Sequence, residues 1–261
     1  MKNEWDYTKQ AKFYAQRPNY SPRAISKLLE YVEAKKDPSY IVCDIGAGTG
    51  NLTVLLADNV GKIIALEPNE AMRSIGMERT KSYDNVLWTK GTGEKTELGD
   101  HTLNLITYGS SFNTVERDKA LIEAHRVLKP NGYFVCMWNN RDLTIPSQIK
   151  VEEIIKKQYP TYSHGVRREQ QADVILGSGF FNHLFYFEQS ENVTMPLEHY
   201  LNAWRSVKNN FWNLNTKEGK DKLETILKEI RTEFTGETTL DLRYITRIWV
   251  AKRQEEQFSG E

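Results

Sequence analysis

At 261 residues, with 39% hydrophobic and 11% aromatic residues, the chain carries enough apolar material for one large domain with a sizeable core. Thirty-five Lys and Arg balance thirty-five Asp and Glu, so no positive surplus draws in phosphate backbones or anionic lipid, and neither nucleic acid nor membrane is an expected partner. No apolar run follows the N-terminal charges, and no stretch approaches the roughly 18 continuous apolar residues of a membrane helix; the expectation is a soluble, cytoplasmic protein.

In chain order, residues 7–20 are rich in aromatic and basic side chains, and Ser21-Pro22 then caps a helix expected to run to about Val32. Short apolar runs near 41–45, 62–66, 85–89, 103–107 and 132–138 read as buried strands, and 52–58, 69–80 and 117–128 between them carry apolar residues at helical spacing. Lys129-Pro130-Asn131-Gly132 supplies a helix stop before the fifth strand. This alternation is the pattern of a doubly wound parallel sheet. Past 140 the rhythm changes to helices at 147–157 and 168–177, a strand at 183–187 and a last strand at 244–250. The stretch from about 190 to 243 is too long for a turn. It is expected to form helices over 197–207 and 217–234 that cover one end of the sheet, followed by a disordered tail at 255–261. Cys43 and Cys136 lie inside strand-like runs and read as inert buried thiols, and no group has the spacing of a metal site.

The chemistry concentrates in Asp44-Ile45-Gly46-Ala47-Gly48-Thr49-Gly50, which follows the first strand. A strand running into glycines delivers the chain to the carboxyl edge of the sheet, where open α/β folds bind ligands and where a missing Cβ lets backbone approach closely. Seventeen positions after Gly50, Glu67 ends the second strand, placed to accept hydrogen bonds from both hydroxyls of a ribose. A dinucleotide loop has its third glycine three positions after the second, leaving a helix N-terminus open to pyrophosphate. Here Gly48 and Gly50 are two apart, and Asp44 sits where a carboxylate repels pyrophosphate but pairs with an amine. The ligand implied bears a ribose and an amine and no phosphate, which disfavours a nicotinamide oxidoreductase.

These residues resemble class I S-adenosylmethionine-dependent methyltransferases over most of 7–140. Residues 42–50 match the first motif of that family, and Glu67-Pro68-Asn69-Glu70-Ala71-Met72 resembles its second-strand end, where the acid holds the ribose and Pro68 and Met72 flank the adenine. Gly91-Thr92-Gly93-Glu94 is similar to the loop after the third strand, which implies that Gly93 and Glu94 meet the adenine edge. Residues 121–132 resemble the helix and turn entering strand five, with Asn131 where glycine is usual. The segment Tyr14-Ala15-Gln16-Arg17-Pro18-Asn19-Tyr20 looks like the lid of small-molecule methyltransferases, implying that Tyr14 and Arg17 close over the cofactor. The cofactor set implied is Asp44, Gly46, Ala47, Gly48, Gly50, Glu67, Pro68, Met72, Gly93, Glu94, Ser110, Tyr14 and Arg17, with S-adenosyl-L-methionine as cofactor. The fold implied is a doubly wound, mostly parallel seven-stranded Rossmann-like sheet with an antiparallel C-terminal strand and a helical cover over the carboxyl edge. As one domain it divides into a lid and helices over 1–35, a cofactor-binding core over 36–140, and the remaining sheet with its cover over 141–254.

Tyr108-Gly109-Ser110-Ser111-Phe112-Asn113-Thr114-Val115 departs from the glutamine and then histidine–tryptophan that close relatives often carry. A binding module without turnover therefore stands as the alternative to transfer onto a small-molecule acceptor. Methyl transfer from a sulfonium needs alignment more than a catalytic residue, but a base helps when the acceptor must lose a proton. His101 and His125 read as surface residues, which leaves His164 and His199 as base candidates. Tyr14, Asn113, Asn139 and Trp204 are the candidates for the acceptor side, with Trp138-Asn139-Asn140-Arg141 ending strand five at the same edge. The Tyr200–Trp204 pair has the spacing of helix-to-core packing.

Overall fold

The computed structural model describes residues 7–207, 209 and 211–255 of the chain. Of the tail expected over 255–261, only Glu255 is among them. Beyond a short helix α1 (Ala11–Tyr14), α2 (Pro22–Tyr31) starts as its sequence dictates. Ser21 accepts the Ala24 N–H at 3.4 Å, Pro22 occupies the first turn, and Ala24, Ile25, Leu28 and Leu29 turn one stripe into the core.

The next elements alternate as β1 (Ile41–Ile45), α3 (Asn51–Ala57), β2 (Lys62–Leu66), α4 (Glu70–Arg79), β3 (Val86–Thr89), β4 (Leu103–Gly109), α5 (Arg117–Val127) and β5 (Leu128–Arg141). After these come α6 (Pro146–Gln158), α7 (Ala172–Gly177), β6 (Phe181–Pro196), α8 (Leu197–Arg205), α9 (Lys217–Glu233) and β7 (Thr239–Arg253). The sheet order is β3-β2-β1-β4-β5-β7-β6, and only β7 runs antiparallel to its neighbours. The expected seven-stranded sheet with an antiparallel C-terminal strand is therefore present. The chain winds outward through β2 and β3 on one side of β1 and through β4 and β5 on the other. The carboxyl ends of β1 and β4 thus form the switch point where such sheets hold ligands.

Apolar clusters cover both faces of the sheet, one around Phe134, Trp138 and Trp249 and one around Leu28, Leu56 and Val135. Cys43 and Cys136 are buried free thiols. Asn131 adopts φ +64°, the left-handed backbone that asparagine tolerates. Its turn is accommodated as an irregularity in β5, since Leu103 pairs with Leu128 but Leu105 pairs with Tyr133.

Two expectations are corrected. The helix expected over 168–177 splits into a 3₁₀ turn, Gly165–Arg168, and α7. The strand expected over 183–187 continues to Pro196, paired with β7 as far as Thr239. Glu188, Ser190, Asn192 and Thr194 on this extension are exposed, which is why its composition reads as a loop. Its other face contributes Met195, Leu240 and Leu242 to a third apolar cluster with α6, α8 and α9. That cluster is the cover over the carboxyl edge, built from a strand ribbon as well as helices. Among the described residues, no helix is long and apolar enough to cross a membrane.

Candidate active site

A cavity of about 370 Å³ opens at the switch point and extends under the cover. The Asp44–Gly48 loop forms one end. Gly46 (φ +65°) and Gly48 (φ +60°) are left-handed, and a Cβ on Gly46 would lie 2.6 Å from Ser111 Cβ. Close packing against the loop after β4 therefore requires glycine here. The Gly46 and Ala47 N–H groups donate to Leu66 C=O, and Gly48 N–H donates to Glu67 Oε2 at 2.9 Å. Glu67 Oε1 accepts Asn69 N–H at 2.8 Å. Each Glu67 oxygen thus takes one backbone donor and keeps a second acceptor position. Burial holds Glu67 above the usual carboxylate range, against the two N–H groups and Arg73 that lower it.

Asp44 is buried at the cavity wall, accepting from Thr53 Oγ1 at 2.7 Å and Thr107 Oγ1 at 3.1 Å. Burial pushes its carboxyl up to about 6, only partly opposed by the two hydroxyls. No cationic side chain pairs with it among the described residues. A buried carboxylate so arranged is costly in the absence of a counter-charge.

The N-terminal segment closes one side. Arg17 lies over the Tyr14 ring at 4.0 Å and donates from Nε to Ser206 Oγ and from Nη2 to Ser206 C=O, both at 2.6 Å, tying the segment to the end of α8. Tyr20 shares a 2.9 Å hydroxyl hydrogen bond with Ser110, which is itself left-handed at φ +59°. Asn139 uses its amide on the Pro18 and Asn19 carbonyls and its oxygen on Thr246. It therefore ties the end of β5 to the N-terminal segment while lining the cavity. Asn113 lines the cavity with its oxygen accepting from Trp138 Nε1 at 3.1 Å.

Of the residues singled out in the sequence, Tyr14, Arg17, Asp44, Gly46, Ala47, Gly48, Ser110, Asn113, Asn139, His164 and Trp204 line this cavity. Gly50, at φ +81°, caps α3 instead. Glu67, Met72 and Gly93 are buried and Pro68 is exposed, and none of the four lines the cavity. Glu94 departs further from its expected place at an adenine edge, because its carboxylate accepts Glu116 N–H at 2.8 Å at the start of α5. His199 is corrected outright as a base. It lies on the exposed face of α8, whose inward positions are Tyr200, Leu201 and Trp204.

His164, by contrast, is half-buried in the cavity wall with Nε2 3.2 Å from Glu152 Oε2. Burial lowers its pKa, against the raising effect of Glu152, which leaves a neutral imidazole at pH 7. With Nε2–H donated to Glu152, Nδ1 carries the free lone pair. Glu152 was not anticipated, although its signal is present: α6 carries Gln148 and Glu152 on its buried face beside Val151 and Ile155. Arg141, from the Trp138–Arg141 strand end singled out in the sequence, lines the cavity too, and Arg167, Arg168 and Tyr162 line it without having been anticipated.

The glycine loop and Glu67 thus meet at the switch point of an open α/β sheet. A family model described as a methyltransferase domain matches residues 43–136, from β1 into β5. The chain is 30% identical over 148 residues to an uncharacterized methyltransferase of Schizosaccharomyces pombe, covering 56% of this chain and 57% of that protein. It is 32% identical over 97 residues to the ubiquinone/menaquinone biosynthesis C-methyltransferase UbiE of Rubrivivax gelatinosus, covering 37% and 38%. Each match thus spans less than two thirds of the relative's length. Among solved structures, the YcgJ protein of Bacillus subtilis shares the fold at TM-score 0.56 and 17% identity, over 89% of this chain and 99% of that one. Residues 43–136 are thus similar to a methyltransferase domain, carried on a sheet whose fold solved structures such as YcgJ share.

Proposed function

We propose that the protein transfers a methyl group from S-adenosylmethionine to a small-molecule acceptor held in the outer half of the cavity. The observation that carries this reading is the cavity itself, which joins the Asp44–Gly48 loop to a polar and aromatic chamber beneath the cover. At about 370 Å³ it has the scale of a small-molecule site. The Arg17–Ser206 tie also narrows access for a macromolecular acceptor. The same general fold, at TM-score 0.51 and 17% identity over 89% of this chain and 53% of that one, occurs in phosphoethanolamine N-methyltransferase 2 of Haemonchus contortus, a structure that holds S-adenosylhomocysteine.

The residues present fit the cofactor. Asp44 supplies a carboxylate for the ammonium of its methionine portion, and the free acceptor positions of Glu67 suit two ribose hydroxyls. Tyr14 and Arg17 close the lid side. When bound, the cofactor supplies an electrophilic methyl on a sulfonium. The protein aligns the acceptor, excludes water, and takes the acceptor's proton at His164 Nδ1, the resulting imidazolium being stabilised by Glu152.

With methyl-labelled S-adenosylmethionine and a cell extract, label is expected in the small-molecule ultrafiltrate. Label retained on macromolecules would overturn the small-acceptor reading, and no transfer to any fraction would favour a binding module. Glu67→Ala should weaken S-adenosylhomocysteine binding about 10- to 100-fold by removing the ribose acceptor and freeing Gly48, as titration calorimetry would show. Arg17→Met should speed dissociation of the bound cofactor product on the order of tenfold in stopped-flow, because the lid loses both bonds to Ser206.

A further inference from the structure

The outer chamber brings three arginines together. Several arginines elsewhere are ion-paired: Arg126 with Asp100 and Glu123, Arg205 with Glu224, Arg231 with Glu198, and Arg243 with Asp142. In the chamber, Arg141 from the end of β5 and Arg167 and Arg168 from the Gly165–Arg168 turn share one wall. Neither Arg141 nor Arg168 forms an ion pair with a carboxylate among the described residues. The acid nearest in charge terms, Glu152, commits one oxygen to His164.

Arg141 is held for use. Its guanidinium carbon lies over the Trp204 ring, 3.6 Å from the centroid. Its Nε is buried and makes no hydrogen bond to the protein. Tyr162, Tyr200 and Tyr244 surround it. Arg168 is fixed by its own bond to Arg141 C=O at 2.6 Å and by Arg247, which donates to Arg168 C=O at 2.8 Å. Glu152 and the tyrosines favour the charged guanidinium against its burial, but no carboxylate among the described residues forms an ion pair with it. The planar fork matches an oxyanion in bidentate fashion.

We propose that the methyl acceptor is an anion, whose carboxylate or other oxyanion group is gripped by the Arg141 fork on Trp204, with Arg167 and Arg168 adding positive charge. The proposal rests on the methyltransferase reading for the word acceptor, but the anion site stands on the arginines themselves. Anchored there, an acceptor presents its remaining atoms between His164 and the glycine loop, so selection acts through charge at one end and alignment at the other.

The test is titration calorimetry of the whole protein saturated with S-adenosylhomocysteine, using benzoate, phenylphosphonate and the neutral isostere benzamide. Benzoate or phenylphosphonate is expected to bind at least about tenfold tighter than benzamide, and the tighter of the two identifies the oxyanion as planar or tetrahedral. Arg141→Met should abolish that preference while leaving the affinity for S-adenosylhomocysteine unchanged. Benzamide binding as well as the anions, neither anion binding, or an anion preference that survives Arg141→Met would each overturn the proposal. Should Arg141→Met lose S-adenosylhomocysteine binding through misfolding, Arg168→Gln and the wild-type anion-versus-amide comparison still decide it. Failure of S-adenosylhomocysteine to bind the wild type would instead sink the cofactor reading, and the same anion series on the unloaded protein would still report on the arginine chamber.

Discussion

Asp44→Asn is expected to make the protein more stable and nearly unable to hold its cofactor. At pH 7 the Asp44 carboxyl is ionised in both the folded and the unfolded chain. Its folded pKa of about 6 lies above the ordinary 3.8, so burial penalises the charged form in the native state. That penalty is on the order of 2–3 kcal/mol at neutral pH and fades as the pH falls from about 6 toward 4, where the folded state takes up a proton that the unfolded chain has not yet bound. Asparagine keeps an acceptor for Thr53 and Thr107 without the charge. Thermal unfolding of the variant should therefore shift upward at pH 7 and lose most of that gain near pH 4. Calorimetry with S-adenosylhomocysteine should show a loss of roughly 100-fold or more, since the ammonium has lost its counter-charge. A lower melting temperature together with unchanged affinity would show that Asp44 serves the loop rather than the ligand.

The second large effect is expected at Gly46. Alanine there meets Ser111 Cβ at 2.6 Å and Ser111 Oγ at 3.1 Å, at a backbone φ of +65°. Left-handed strain costs about 1 kcal/mol and the overlap about 1–3 kcal/mol more, so Gly46→Ala should destabilise the fold by roughly 2–4 kcal/mol and displace the loop from the ligand. Ser111→Gly alone removes the hydroxyl that donates to Ile45 C=O at 2.5 Å and is mildly destabilising. Combined with Gly46→Ala it should recover the overlap component, a coupling of about 1–2 kcal/mol in denaturant unfolding. Simple additivity of the two substitutions would mean that the loops do not meet as closely as the geometry requires.

What could be read from the sequence follows a physical division. Local rules bind tightly where one residue answers one backbone demand. Ser21-Pro22 opens α2, Asn131 takes the left-handed position, and the short apolar runs become β1, β2, β4 and β5 because strands covered on both faces need continuous hydrophobicity. The glycine loop and Glu67 were legible for the same reason, as neighbours across β1 and β2. Contacts across the cover were not. Ser206 meets Arg17 across 189 positions, and Glu152 meets His164 only because α6 turns an acid inward. The β6 extension reads as a loop because its exposed face is polar while its buried partners come from β7, about fifty residues later in the pairing of Met195 with Leu240. Glu94 illustrates the converse limit: a motif resemblance gives a residue's place in the chain, but the N–H of Glu116 determines where its carboxylate points.

Two electrostatic halves meet in one cavity: the buried Asp44 carboxylate at the loop end, and Arg141 and Arg168 under the cover, neither of which forms an ion pair with a carboxylate among the described residues. The chain as a whole is neutral, so this separation is a local arrangement and not a consequence of composition. On the proposed reading it would draw the cofactor's amine toward Asp44 and the acceptor's anion toward Arg141, with His164 and its partner Glu152 on the same cavity wall.

The central claim is tested most directly by calorimetric titration of the wild-type protein with S-adenosylhomocysteine and with NAD, run at pH 6 in two buffers of different ionisation enthalpy. One-to-one binding of S-adenosylhomocysteine is predicted, accompanied by release of a fraction of a proton as the ammonium drives Asp44 to its ionised form, with no heat from NAD. Binding of NAD without binding of S-adenosylhomocysteine would contradict it.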